Sequence, residues 1–225
     1  MIDVNKLLNL YSPEKVDKFF ESEMPNANIT ATVINVAIFV VVVTIASLIG
    51  GVLSTVISGV LSGNVGSAVM QGGVNFIVSI GSAIFSFIMF FIGAALLYFI
   101  ATKVFGGTGK LEQLLYLMSV SSLALSPVFA VLNILSAIPC VNCLAGLGSL
   151  IAAIYMLFLD YKALMISQKM LSDKALFSIV AWIVVIIIIA GIIAGILMVL
   201  GFAAMFMGVM GGTAMAGNAM PQLPF

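Results

Sequence analysis

YFIATKVFGGTGKLEQLLYL, residues 98–117, sets two adjacent glycines and a Gly109-Lys110 pair between stretches that are almost wholly apolar. Two structures could account for it: a loop that cradles phosphate, or the bend between two membrane helices. A phosphate-binding loop of the Walker type needs GxxxxGK followed by Ser or Thr, placed after a strand. Here Val104 stands where the first glycine belongs, and Leu111 replaces the hydroxyl that would hold magnesium. The phosphate reading fails. Gly106, Gly107 and Gly109 are left with a geometric task, since positive φ and close backbone approach let one helix turn back into the next within a few residues.

Composition points the same way. Hydrophobic residues make up 63% of the 225, and 7% are charged; the mean hydropathy is +1.32. A soluble domain normally carries about 25% charged residues. No charge occurs in residues 24–102, 113–159 or 175–225. A lysine or aspartate at a helix centre costs roughly 3 kcal/mol on insertion into a bilayer, so these spans are expected in lipid or inside a bundle. The apolar run that follows residues 1–27 is far longer than the roughly 7–15 residues of a signal-peptide core. Net charge is zero and the eight basic residues are all lysine, so nucleic acid has no basic patch to meet. Histidine is absent, which removes the usual player in hydrolytic and metal chemistry.

A membrane-spanning helix needs about 20 apolar residues. Turn signals divide the chain into spans at about 29–57, 74–102, 114–135, 144–161 and 176–200. An amphipathic N-tail (1–28) precedes them and a Met/Gly-rich tail (201–225) follows. The expected fold is all-α, a polytopic bundle of five transmembrane helices. With five spans, every lysine falls in the N-tail, in 103–112 or in 160–174, all on one side. By the positive-inside rule that side is cytoplasmic, with the N-terminus in and the C-terminus exterior. Tyr98, Tyr116, Tyr161 and Trp182 lie near the same ends of their spans, where amphipathic rings settle.

Small residues at i, i+4 offer helix-contact seams: Gly191 and Gly195, Ser82 and Ser86, Ser122 and Ser126. They are equally ordinary constituents of membrane helices. Pro127, inside the third span, frees a backbone carbonyl, and serines at 122–126 are at hand to satisfy it. In the N-tail, Ser12 and Pro13 form a helix start, and Val16, Phe19 and Phe20 fall on one face opposite Lys15, Lys18 and Glu21. This reads as an interfacial helix or as a partner-docking one.

Phe105-Gly106-Gly107-x-Gly109, then Leu111, Gln113 and a serine-rich stretch ending in Ser126-Pro127, is similar to the signature between the second and third helices of the Yip family, the Ypt/Rab GTPase-interacting membrane proteins. Residues 159–164 (LDYKAL) and the pattern Ser172-x-Lys174-Ala175-Leu176 resemble that family's linker into its last helix. Pro13 with Phe19-Phe20 resembles the lead-in of prokaryotic members. The resemblance implies a five-helix membrane domain with a cytoplasmic N-terminus. Eukaryotic members assist vesicle transport, pair with related membrane proteins and are linked to small GTPases. Those members carry a much longer cytoplasmic N-region; the short acidic one here argues against GTPase binding.

Two further constellations remain. Cys140 and Cys143 form a CxxC in an outward loop, readable as a disulfide, a redox pair, half a metal site, or two small residues packed at a tight turn. Met205, Met207, Met210, Met215 and Met220 could offer soft thioether ligands to Cu(I), or simply fill a loose apolar segment. Intramembrane acids, the usual mark of ion pathways, are lacking, and Asn35, Asn75 and Asn133 read as interhelical hydrogen bonds. The expectation is a non-catalytic membrane scaffold or adaptor in a prokaryotic plasma membrane, with no cofactor and no assigned metal site. Its partners are the lipid bilayer and membrane proteins or further copies of itself. The residues expected to face partners are Lys103, Lys110, Glu112, Asp160, Lys162, Lys169, Asp173 and Lys174. A small-solute or metal-ion permease and a Cu(I)-binding protein are the alternatives.

Overall fold

The computed structural model describes residues 4–63 and 65–216, and every regular element among them is helical. A short α1 (Val4–Leu7), a 3-10 turn, α2 (Pro13–Glu23) and a second 3-10 turn lead into five long helices. These are α3 (Ile29–Ser62), α4 (Val65–Lys103), α5 (Leu111–Leu135), α6 (Pro139–Gln168) and α7 (Ser172–Ala216). All five are long and apolar enough to cross a membrane. The chain divides into two compact units, Met1–Ile179 and Val180–Phe225.

The helices run further than turn signals predict. The glycine-rich stretch 58–73 is expected as a loop, yet α3 continues to Ser62 and α4 starts at Val65. Glycine is tolerated within membrane helices, and the break comes only at Gly63, whose φ of +67° ends α3. Asn28 caps the start of α3, its side chain accepting from the Ala31 N–H at 2.6 Å. Pro139 occupies the first position of α6, where its missing N–H is no loss. At the other end α6 continues through Asp160 and Lys162 to a left-handed cap at Lys169, φ 52°. Helix α7 extends past 200 to Ala216; residues 217–225 of the expected tail lie outside the described residues.

Helix α5 is the centre of the first unit. It packs against α3 and α6, and α4 packs on α3; most of its apolar stretch is buried, whereas little of that of α3 is. A central helix rich in serine has to satisfy its hydroxyls internally. Ser119, Ser121 and Ser122 do so by donating to the carbonyls of Tyr116, Leu117 and Met118. Pro127 removes the N–H that would bond to the Leu123 carbonyl, and the Ser126 hydroxyl takes its place at 2.8 Å. Asn35 of α3 donates to Ser119 Oγ at 3.2 Å within the buried core. Asn133 instead bonds within its own helix, to the Phe129 carbonyl.

The N-terminal segment completes this core. Leu10, Val16, Phe19 and Phe20 are buried with Tyr116, Leu117, Val120 and Leu125 of α5 and with Leu159 and Ala163 of α6. The apolar face of α2 is therefore covered by the chain's own helices, leaving none of the free apolar face that an interfacial or partner-docking helix presents. Ser12 stands at the N-cap position of α2 but makes no side-chain cap bond.

Candidate functional site

The lysine-bearing end of the first unit is built from three segments. The first is the α4–α5 bend. Gly106 has φ +76°, a conformation that strains any residue with a Cβ, and it reverses the chain so that the Gly107 N–H reaches back to the Ala101 carbonyl at 2.9 Å. The second is the end of α6. The Thr108 N–H donates to the Gln168 carbonyl at 3.1 Å, which fixes the bend on the α6–α7 connection. Gly109 lies so close to that connection that a Cβ would overlap the Ser167 carbonyl and come within 2.9 Å of Gln168 Cα. A Cβ on Gly107 would lie 3.1 Å from the Gln168 side chain and from Met170 Sδ. The three glycines thus divide their work. Gly106 supplies the turn, Gly109 lets the two connections meet backbone to backbone, and Gly107 makes room for the Gln168 and Met170 side chains.

The N-terminal segment is the third part, latched at several points. The Tyr11 hydroxyl donates to the Ala124 carbonyl and the Tyr155 hydroxyl to the Leu10 carbonyl, each at 2.5 Å. Burial raises the pKa of the Tyr11 phenol, so it stays a donor. Tyr116 donates to the buried Glu23 carboxylate at 3.0 Å, and Asn26 adds a longer bond. Lys162 pairs with Asp17 at 2.8 Å and lies 6.0 Å from the Phe158 ring centroid. Tyr116 is accordingly a buried strut rather than an interfacial anchor.

These contacts sort the residues expected to face partners. Lys103, Lys110, Lys169, Asp173 and Lys174 are exposed. Asp160 is not part of that surface: it is 4% exposed, turned into the bundle because α6 remains helical through it, and its Oδ1 has no hydrogen-bond partner. A carboxyl group therefore does sit within the first unit, where none is expected from sequence. Lys162 is engaged by Asp17, and Glu112 accepts from the Ile29 N–H at 3.2 Å. Gln168, fully buried with neither end of its amide bonded, carried no sequence signal, nor did Ser167. Gly50, where a Cβ would lie 2.7 Å from the Asn133 carbonyl oxygen, did carry one in its adjacency to Gly51. By contrast, Ser82 and Ser86 are exposed.

At the opposite end of α6, Cys140 and Cys143 occupy the first turn, both free and exposed, so they do not pack into a tight turn. A cavity of about 540 Å³ lies between α3 and α4, lined by Ser47, Leu48, Val52, Asn75, Phe76 and other residues, none of them charged. No group of three His, Cys, Asp or Glu side chains converges among the described residues. The side chains of the tail methionines lie outside the described residues. No curated protein and no solved structure matches the chain. The Yip1 domain does, over residues 12–193, which takes in α2, the glycine bend and its docking partner; the chain belongs to the Yip1 domain family of integral membrane proteins.

Proposed function

We propose that this chain is a non-catalytic membrane scaffold whose lysine-bearing end faces the cytoplasm, with the N-terminus inside and the C-terminus outside. The observation that carries the reading is the docking of the α4–α5 bend on the α6–α7 connection. Through the Gly109 contact and the Thr108–Gln168 hydrogen bond, two separate connections become one braced platform. Four lysines (Lys103, Lys110, Lys169 and Lys174) stand exposed on or beside these two connections with Asp173, and none forms an ion pair among the described residues. Such a surface suits an acidic face of a partner protein or anionic headgroups, for which each lysine contributes about 1 kcal/mol near the membrane. A prokaryotic plasma membrane is the proposed setting. Leu10, Val16, Phe19 and Phe20 are packed in the chain's own core, which argues against a GTPase docking on that segment.

A photoreactive residue at Lys110 tests this. A discrete protein adduct, lost when Lys103, Lys169 and Lys174 become glutamine, is the expected result. Adducts to lipid alone would overturn the scaffold reading.

A further inference from the structure

We propose that Cys140 and Cys143 form a redox-active dithiol at the uncharged end of α6, one that exchanges with low-molecular-weight disulfides. Free cysteine is among the most buried residue types, and where it does not pack, its reactivity accounts for its presence. Both thiols here are exposed. With Tyr161 taken at one rim of the bilayer, the length of α6 sets them at the other. Counting twenty residues back from Tyr161 reaches Val141, which at the helical rise is about 30 Å, the thickness of the hydrocarbon core.

Local geometry allows a bond between the two sulfurs. Residues three apart on a helix have Cβ atoms about 5–6 Å apart, and a disulfide needs about 3.5–4.5 Å. The first turn can supply the difference. Pro139 is the first residue of α6, and the Val141 and Asn142 N–H groups both converge on the Ile138 carbonyl at 2.9 Å. The Cys140 N–H, at the second position, is one of the four that a helix start leaves without an intrahelical acceptor. Drawing Cys140 toward Cys143 therefore costs no helical bond donated by the Cys140 N–H. A ring closed against this resistance is more oxidising and more labile than a structural disulfide, which suits reversible exchange. Metal binding of the zinc type is not served, because no third ligand converges here among the described residues.

The step balances as ordinary exchange. One thiolate attacks a sulfur of the external disulfide RSSR, forming a mixed disulfide and releasing RS⁻. The second protein thiolate attacks the protein sulfur of that mixed disulfide, closing the ring and expelling the other RS⁻. Two electrons pass from the dithiol to RSSR, and the two thiol protons end on two RSH.

Purified full-length protein in detergent, equilibrated with reduced and oxidised glutathione, acid-quenched and reacted with a maleimide, tests the proposal by intact mass. The wild type should pass from two maleimides per chain to none as oxidised glutathione rises, with no glutathione retained, and should return on reduction. Cys140→Ser and Cys143→Ser should each retain one glutathione. Accumulation of two glutathiones on the wild type would overturn the proposal, as would full maleimide labelling under conditions that convert the single variants completely. The result does not depend on which way the protein faces.

Discussion

Replacing Gly109 with alanine adds a single methyl group that overlaps the Ser167 carbonyl and stands 2.6 Å from its carbon. Every neighbour it meets is backbone, so no side-chain rotation relieves the clash, and the bend must lift off the α6–α7 connection. Overpacking of this kind costs about 1–3 kcal/mol. Separation also strips the Thr108–Gln168 hydrogen bond, worth about 1 kcal/mol. Together these give about 2–4 kcal/mol, a fall in midpoint temperature of roughly 5–15 °C for a chain of this size. Gly106→Ala meets no atom within 4 Å and loses only the cost of a left-handed alanine, about 1–2 kcal/mol. Gly107→Ala presses on the Gln168 side chain and Met170 Sδ, which can move, so it is expected to be the mildest of the three. Thermal unfolding of the three variants in one detergent decides the matter. The order Gly109 most damaged, then Gly106, then Gly107 is expected; a Gly109→Ala protein as stable as wild type would refute the docking of the two connections.

Phe20→Ala should cost about 3–5 kcal/mol, as for a fully buried aromatic side chain, and should make residues 4–26 cleavable by added protease while α3–α6 stay intact. Gly50→Val should destabilise by about 1–3 kcal/mol through its contact with the Asn133 carbonyl, read by the same thermal assay, whereas Gly51→Val, with nothing within 4 Å, should not. Asp160→Leu should leave stability unchanged or raise it, because it removes a buried oxygen that has no hydrogen-bond partner; a loss above about 2 kcal/mol would mean that Asp160 holds a contact that matters.

Long, uncharged apolar runs made the five helices and the common placement of the lysines legible in sequence. The bend was legible too, since a GGxG between such runs has few structural uses. What could not be read was where the bend goes. The partners of Gly107 and Gly109 are Ser167, Gln168 and Met170, some 60 residues on, and nothing in SQKM announces a docking surface. Helix ends are less legible for a related reason: glycine and proline punctuate soluble chains more strongly than membrane ones. The stretch 58–73 therefore stays mostly helical, and Pro139 opens a helix. The N-terminal helix had the right buried face, with Val16, Phe19 and Phe20 together, but amphipathicity alone does not say whether that face meets lipid, a partner or the chain's own core. Asp160 and Lys162 look alike in sequence, two charges at a span end. Only the rotation of α6 buries the first and aims the second at Asp17.

Sidedness bears on all of this most directly. Lys110→Cys and Lys169→Cys, each placed in a Cys140→Ser, Cys143→Ser background, can be challenged in intact cells with a membrane-impermeant maleimide and compared with the native cysteines. Both introduced thiols should react only after the membrane is permeabilised, while native Cys140 and Cys143 should react directly. Labelling of Lys110→Cys and Lys169→Cys from opposite sides, or of Cys140 from the same side as either, would contradict a five-span chain with its lysines gathered on the inner face.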